Sequence, residues 1–85
     1  MNLKTELKLK AKSLEPIVRI GKNGLTEGIV NEMIRQLKKK KLIKVKLLKS
    51  FVQDRNKKEL IEEISSATDS EVIDLVGFVV VLRKK

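Results

Sequence analysis

Two glycines enclose a lysine and an asparagine in the segment Gly21-Lys22-Asn23-Gly24, which we name the GKNG loop. Glycines at both ends let the backbone turn sharply and leave no Cβ to hold a polyanion away. The loop also precedes a predicted helix, whose free N–H groups and dipole favour phosphate. Taken alone, such a turn is more often structural than ligand-binding. It is therefore a candidate phosphate-binding loop that needs support from its surroundings.

The charge of the chain supplies that support. The 85 residues include 20 Lys and Arg against 11 Asp and Glu, a formal net charge of +9. Residues 1–50 contain 14 basic and 4 acidic side chains, whereas residues 51–85 contain 6 and 7. Such a one-sided positive field attracts and steers a polyanion. A solvated, heat-adapted surface would explain many charges of both signs, but not this asymmetry.

Basic residues on neighbouring elements extend the candidate site. They precede the loop, occupy one face of the following helix or alternate along the second strand. A lysine run at a helix end is most often solvated, so the set carries the prediction rather than any single member. A GxxG loop of this kind clamps RNA backbone in KH domains, which makes RNA the expected polyanion. The residues predicted to bind RNA are Gly21, Lys22, Asn23, Gly24, Arg19, Arg35, Lys38, Lys39, Lys44 and Lys46.

The composition argues against catalysis. The chain has no cysteine and no histidine, which excludes a disulfide scaffold, a Cys/His zinc site and the commonest general base. Glu59, Glu62 and Glu63 fall where a solvated helix face would place them. We therefore predict no enzyme activity, no catalytic or metal-binding residue, no cofactor and no small-molecule substrate.

Aromatic residues are scarce, and this predicts how RNA is recognised. Phe51 and Phe78 are the only two, and Phe78 belongs to an apolar segment predicted to be core. Platforms that stack bases need exposed aromatic side chains. We therefore expect recognition of RNA backbone and shape, with a strong dependence on salt.

Hydrophobic spacing predicts three helices and four strands. The helices are expected over residues 2–14, from an N-cap at Thr26 to Lys41, and over about 55–68 with Asp54 as N-cap. The strands are expected over residues 17–20, 42–49, 71–76 and 78–83. Val79 to Leu82 are apolar on both faces, which is typical of an inner strand.

These elements predict an α/β (α+β) fold in a single domain, residues 1–85, with the order α-β-α-β-α-β-β. Each strand–helix–strand connection is long enough for a right-handed parallel crossover, and the last two strands form an antiparallel hairpin. The expected architecture is a mixed four-stranded sheet with helices packed on it. No apolar run is long enough to span a bilayer, and the N-terminus lacks a signal-peptide pattern, so we expect a cytoplasmic protein without a membrane partner.

Four ordered segments resemble one family over nearly the whole chain. Residues 16–28, PIVRIGKNGLTEG, are similar to the signature of the CRM domain (chloroplast RNA splicing and ribosome maturation) in its stand-alone YhbY-like form. The other three segments are similar to its second strand, third helix and closing strand: Leu42–Lys46, Asp54-Arg55 with Leu60-Ile61, and Gly77 with Val79–Arg83.

The resemblance implies an RNA-binding fold similar to the C-terminal domain of translation initiation factor 3. It also implies that the GKNG loop contacts RNA and that the target is ribosomal, in a precursor of the large subunit. The expected function is thus binding of structured RNA during ribosome assembly. Two alternatives remain open: a sequence-independent DNA-binding or chromatin-type protein, and an interaction module that docks on a ribosomal protein.

Overall fold

Residues 2–85, which the computed structural model describes, form eight helices and strands; Met1 of the predicted domain lies outside them. Their order confirms the predicted one, except that a short helix, α3, follows the second strand. The bounds are α1 Leu3–Ala11, β1 Pro16–Ile20, α2 Glu27–Lys40, β2 Leu42–Leu47, α3 Lys49–Val52, α4 Lys57–Thr68, β3 Ser70–Val76 and β4 Val79–Lys84.

The four strands form one mixed sheet in the order β1-β2-β4-β3. Strands β1 and β2 are parallel, and β4 is antiparallel to both of its neighbours. The prediction of a mixed sheet with a C-terminal hairpin is therefore confirmed. Because β4 lies between β2 and β3, the connection through α4 passes over one strand instead of joining adjacent ones.

Helices cover both faces of this sheet. Side chains of α2 and α4, including Met33 and Leu60, share the main core with Val45 and Val80. On the opposite face, α1 packs through Leu7 and Ala11 against a smaller cluster that includes Ile73 and Val81. Strand β4 thus contributes to both clusters, as its apolar pattern predicts.

The first helix is shorter than its apolar spacing predicts. The backbone N–H groups of Lys12, Ser13 and Leu14 donate to carbonyls three residues earlier, which tightens and ends the helix. Leu14 leaves the predicted apolar stripe and is only half-buried, and Leu3 at the other end is 55% exposed. The first helix therefore packs on the sheet through Leu7 and through its last residue, Ala11.

One predicted N-cap is correct and another is wrong. The Thr26 hydroxyl accepts a hydrogen bond from the Ile29 N–H at 3.2 Å, as expected for the cap of α2. Asp54 does not cap α4: its backbone is left-handed, with φ +56°, and it lies in the turn that directly follows α3. The cap is Asn56, whose side-chain oxygen accepts from the Lys58 N–H at 2.8 Å. Asp and Asn are both preferred caps, and sequence spacing alone does not separate them.

Candidate nucleic-acid interface

The GKNG loop closes as a tight turn at the end of β1. The Gly24 N–H donates to the Gly21 carbonyl at 2.9 Å, and Gly24 has φ +70°, a left-handed conformation that favours glycine. The two glycines are half-buried, whereas Lys22 and Asn23 at the tip are exposed. The loop therefore presents one cation and one amide to solvent on a backbone with little side-chain cover.

Helix α3, which sequence reasoning missed, forms the floor beneath the loop. A Cβ added to Gly24 would lie 3.7 Å from the Phe51 ring, and one added to Gly21 would lie 3.3 Å from Leu48 Cδ1. Phe51 is buried, so the floor is fixed in the core. Helix α3 has only four residues and no side-chain N-cap hydrogen bond. The sequence therefore shows neither a helical period nor a cap at this place, and α3 is absent from the prediction.

Strands β1 and β2 bring three of the predicted basic residues to one face of the sheet. Arg19 of β1 is the register partner of Lys46 of β2, and both side chains are exposed. Lys44 lies two residues earlier on β2, on the same face and half-buried. The intervening Val45 points into the core on the other face. With Lys22 of the adjoining GKNG loop, these residues make up the surface that we call the basic face: Arg19, Lys22, Lys44 and Lys46.

Helix α1 extends the basic face with two lysines outside the predicted set. Lys8 and Lys12 line an open groove of 610 Å³ between α1 and the sheet, together with Lys44. They are four residues apart, so they lie on one side of the helix. The i, i+4 spacing of Lys8 and Lys12 is the sequence feature from which their place on one side of the helix could have been predicted. Apolar side chains, including Val76 and Val79, line most of the rest of the groove, and Thr5 and Asp74 add a hydroxyl and a carboxylate.

The predicted residues on α2 lie apart from the basic face. Helix α2 packs on the opposite face of the sheet, and its 14 residues rise about 20 Å from the loop to Lys40. Lys38 and Lys39 are in its last turn, and the Lys41 carbonyl that follows accepts from the Lys84 N–H at 2.8 Å. The structure therefore does not bring Lys38 and Lys39 together with the GKNG loop.

Arg35, the third predicted residue on α2, is engaged in an ion pair. Its Nη2 donates to Glu32 Oε1 at 2.7 Å, and its Nε donates to Oε2 at 3.1 Å. The hydrogen bond from Arg35 lowers the pKa of the Glu32 carboxyl, helped by a second one from Gln36. The same bond raises the pKa of Arg35. A polyanion would therefore have to compete with Glu32 for this guanidinium.

Phe78 is not a core residue, contrary to the sequence-based expectation. It lies in the turn between β3 and β4, and its side chain is 39% exposed. Its neighbour Gly77 has φ +60°, so the glycine that signals the turn also removes Phe78 from the strand. The ring faces Lys57, whose Nζ is 5.4 Å from the ring centroid, a cation–π contact.

An open groove separates this ring from α3. It has a volume of 640 Å³, and we name it the Phe78 groove; its lining residues are Lys49, Val52, Gln53, Asp54, Arg55 and Phe78. The Arg55 guanidinium lies 5.0 Å from the centroid of the Phe51 ring and is ion-paired with Glu63. The groove therefore combines an exposed aromatic ring with cations and amide and carboxylate groups.

The described residues 2–85 contain no group of three or more His, Cys, Asp or Glu side chains arranged to hold a metal ion. No helix among them has the length and apolar character needed to cross a membrane.

The chain is similar to one known domain family and to proteins that are named as RNA-binding. The sequence profile of the CRS1 / YhbY (CRM) domain matches residues 2–84. A "Probable RNA-binding protein" of Methanocaldococcus jannaschii is 42% identical over 80 residues, 94% of this chain and 59% of that protein. The chain thus spans less than two thirds of this relative. A "Probable RNA-binding protein" of Pseudomonas aeruginosa is 34% identical over 89 residues, covering 100% of this chain and 84% of its own.

A solved structure has the same fold. The solution structure of a hypothetical protein from Staphylococcus aureus superposes with a TM-score of 0.79 and 35% sequence identity. The match covers 96% of this chain and 83% of that one.

Proposed function

We propose that this chain, which belongs to the CRS1 / YhbY (CRM) domain family, is a non-enzymatic protein that binds structured RNA through the GKNG loop and the basic face. The relatives named as RNA-binding proteins support the choice of RNA as ligand. The observation that carries the choice of surface is the register pair of Arg19 and Lys46 beside the loop.

The electrostatics of this surface favour a phosphate backbone. Within residues 2–85, the ion pairs engage Arg35, Arg55, Arg83 and Lys85, and none engages a member of the basic face. Each phosphate that such a cation neutralises releases condensed counterions, so affinity falls steeply with salt. The free cations of the basic face therefore supply most of the affinity, and the glycines let the RNA backbone approach.

The target within this proposal is ribosomal RNA in a precursor of the large subunit, as the resemblance to stand-alone members of the family implies. The protein then acts in the cytoplasm during ribosome assembly. Double-stranded RNA is recognised mainly by its shape and by phosphate and 2′-hydroxyl contacts, which suits a surface of lysine, arginine and backbone N–H groups.

Crosslinking in cells, followed by sequencing of the bound RNA, tests the target. We expect enrichment of large-subunit precursor RNA over its abundance in the lysate. Recovery of no RNA above background would contradict the proposal. Enrichment of another RNA would retain RNA binding and reject the ribosomal role.

The two alternatives need separate measurements. Competition between a structured RNA and a duplex DNA of equal charge, at fixed salt, is expected to favour the RNA; preference for the DNA supports the DNA-binding alternative. Sedimentation with ribosomal particles is expected to be lost when Lys22, Lys44 and Lys46 are replaced together by alanine. Retention of that variant on the particles supports docking on a ribosomal protein.

A further inference from the structure

We infer that the Phe78 groove binds an unpaired nucleobase of the RNA whose phosphates contact the GKNG loop. This inference rests on the proposed function and deepens it. Recognition of backbone alone needs no aromatic ring, and the expectation of pure backbone recognition assumed that Phe78 was buried. The ring is exposed, so this assumption fails.

Backbone hydrogen bonds fix the Phe78 groove beside the loop. The Leu47 N–H donates to the Phe78 carbonyl at 2.6 Å, and the next amide, that of Leu48, donates to the Ile20 carbonyl at 2.9 Å. Ile20 is the residue immediately before the loop. The two acceptors therefore flank the end of β2 on either side, about 10 Å apart at the usual spacing of strands. An RNA strand on the loop can reach the groove within a few nucleotides.

Helix α3 joins the two sites into one surface. Its Phe51 ring supports Gly24 of the loop, as described above, and its Lys49 and Val52 line the groove. Because Phe51 is buried, α3 is held against the core beside both sites. One ligand can therefore contact the loop and the groove along the surface that α3 joins.

The chemistry of the groove matches a base on a charged backbone. The Phe78 ring offers a face for stacking, which is tolerant of sequence because every base has a π-face. Gln53 and Asp54 supply polar atoms that can hydrogen-bond a base edge. Lys49 and Lys57 supply the charge for the flanking phosphates, and Lys57 already lies against the ring. A single exposed aromatic residue is ordinary on a protein surface; its position between these groups is what indicates a nucleobase.

A tryptophan at position 78 reports on stacking directly. The chain contains no Trp and no Tyr, so Phe78→Trp introduces the sole indole fluorophore. The probes are an RNA hairpin with an unpaired overhang and the same hairpin with abasic nucleotides in the overhang, which keeps every phosphate. We expect quenching of the fluorescence by the first and not by the second. Leu3→Trp, at a 55% exposed position of α1 that lines neither the Phe78 groove nor the groove beside Lys44, is the matched control and should not respond to either RNA.

Affinity gives the second readout. Phe78→Leu keeps the apolar volume but removes the stacking face, and it should weaken binding to the overhang hairpin about tenfold while leaving the salt dependence unchanged. Equal quenching by both hairpins, or full affinity of the Phe78→Leu variant, overturns the inference and leaves RNA binding intact. If the wild-type protein binds neither hairpin, the proposed function and the inference both fail. Circular dichroism of each variant verifies the fold.

Discussion

Arg19 and Lys46 are register partners on the parallel strands β1 and β2, so two exposed cations lie side by side on the sheet. Like charges in opposing positions on a sheet destabilise it. Strand neighbours of opposite charge do occur in the same protein, where Arg83 of β4 pairs with Glu71 of β3 at 2.9 Å. The Arg19–Lys46 pair therefore lacks the stabilising charge pairing that Arg83 and Glu71 have, and the polyanionic ligand that we propose would balance its charge.

Replacing Lys46 with Glu should therefore stabilise the fold and weaken RNA binding. The new carboxylate faces Arg19 across the strands, and such pairs contribute about 0.2–1 kcal/mol to the free energy of unfolding. Urea denaturation and a filter-binding assay on the same variant measure both effects. Lys10→Glu makes the same change in net charge at an exposed position of α1 and should reduce RNA affinity less. Equal losses of affinity would show that only the net charge matters.

Gly24→Ala should destabilise the protein, because an alanine at φ +70° costs about 1–2 kcal/mol. The expected fall in Tm is about 4–8 °C per kcal/mol for a domain of this size. Gly28→Ala is the matched control: it lies in α2, and no atom beyond its chain neighbours and the adjacent helix backbone is within 4 Å of the added Cβ. That change should be neutral or stabilising, by up to about 1 kcal/mol. Thermal unfolding of both variants checks the pair, and a Gly24→Ala variant with unchanged Tm would contradict the left-handed turn.

Thr68 and Ser70 form a buried polar pair at the junction of α4 and β3. The Thr68 hydroxyl bonds the Ile64 carbonyl at 2.8 Å and the Ser70 hydroxyl at 2.7 Å. Thr68→Val removes the partner of a buried hydroxyl and should lower the free energy of unfolding by about 1–3 kcal/mol. Adding Ser70→Ala also removes the Ser70 hydroxyl, which the first substitution leaves buried without its partner. The double variant should therefore recover most of the lost free energy of unfolding. A double variant no more stable than the single one would mean that packing, and not the hydrogen bond, sets the cost.

The Glu32–Arg35 pair predicts a small pH dependence of stability. Hydrogen bonding to Arg35 lowers the pKa of Glu32 from its ordinary value of 4.5, so the folded state binds this proton less tightly than the unfolded state. The stabilisation is therefore complete above about pH 4.5 and is lost as the pH falls through the lowered value. Glu32→Gln should remove this contribution, and the difference in unfolding midpoint between the two proteins should shrink on acidification. The effect is modest because the pair is exposed to solvent.

Most of the fold follows from local patterns in the sequence. The β-branched segment before the GKNG loop, the Thr26 cap and the apolar run of β4 each predict their elements correctly, because hydrophobic spacing and capping act locally. Two features depend on tertiary context instead. The strand order β1-β2-β4-β3 inserts β4 between β2 and β3, and α1 covers the face of the sheet opposite to α2.

The candidate site was predicted less completely than the fold. Arg19, Lys44 and Lys46 alternate along strands, so their common face follows from the strand period. Lys38 and Lys39 are close to Lys44 in sequence but belong to a helix on the other face, which spacing alone does not reveal. Its apolar neighbours predict a core position for Phe78, whereas the turn at Gly77 exposes it.

We propose that the basic face, rather than the basic end of α2, binds RNA. Affinity for a structured RNA hairpin, measured over a series of salt concentrations, tests it with two alanine variants of equal charge. Replacing Lys22, Lys44 and Lys46 should weaken binding and reduce the slope of log affinity against log salt by about 2–3, with no loss of fold. Replacing Arg35, Lys38 and Lys39 should leave the slope close to that of the wild type. The opposite ranking of the two variants, or an unchanged slope for the first, would contradict the account.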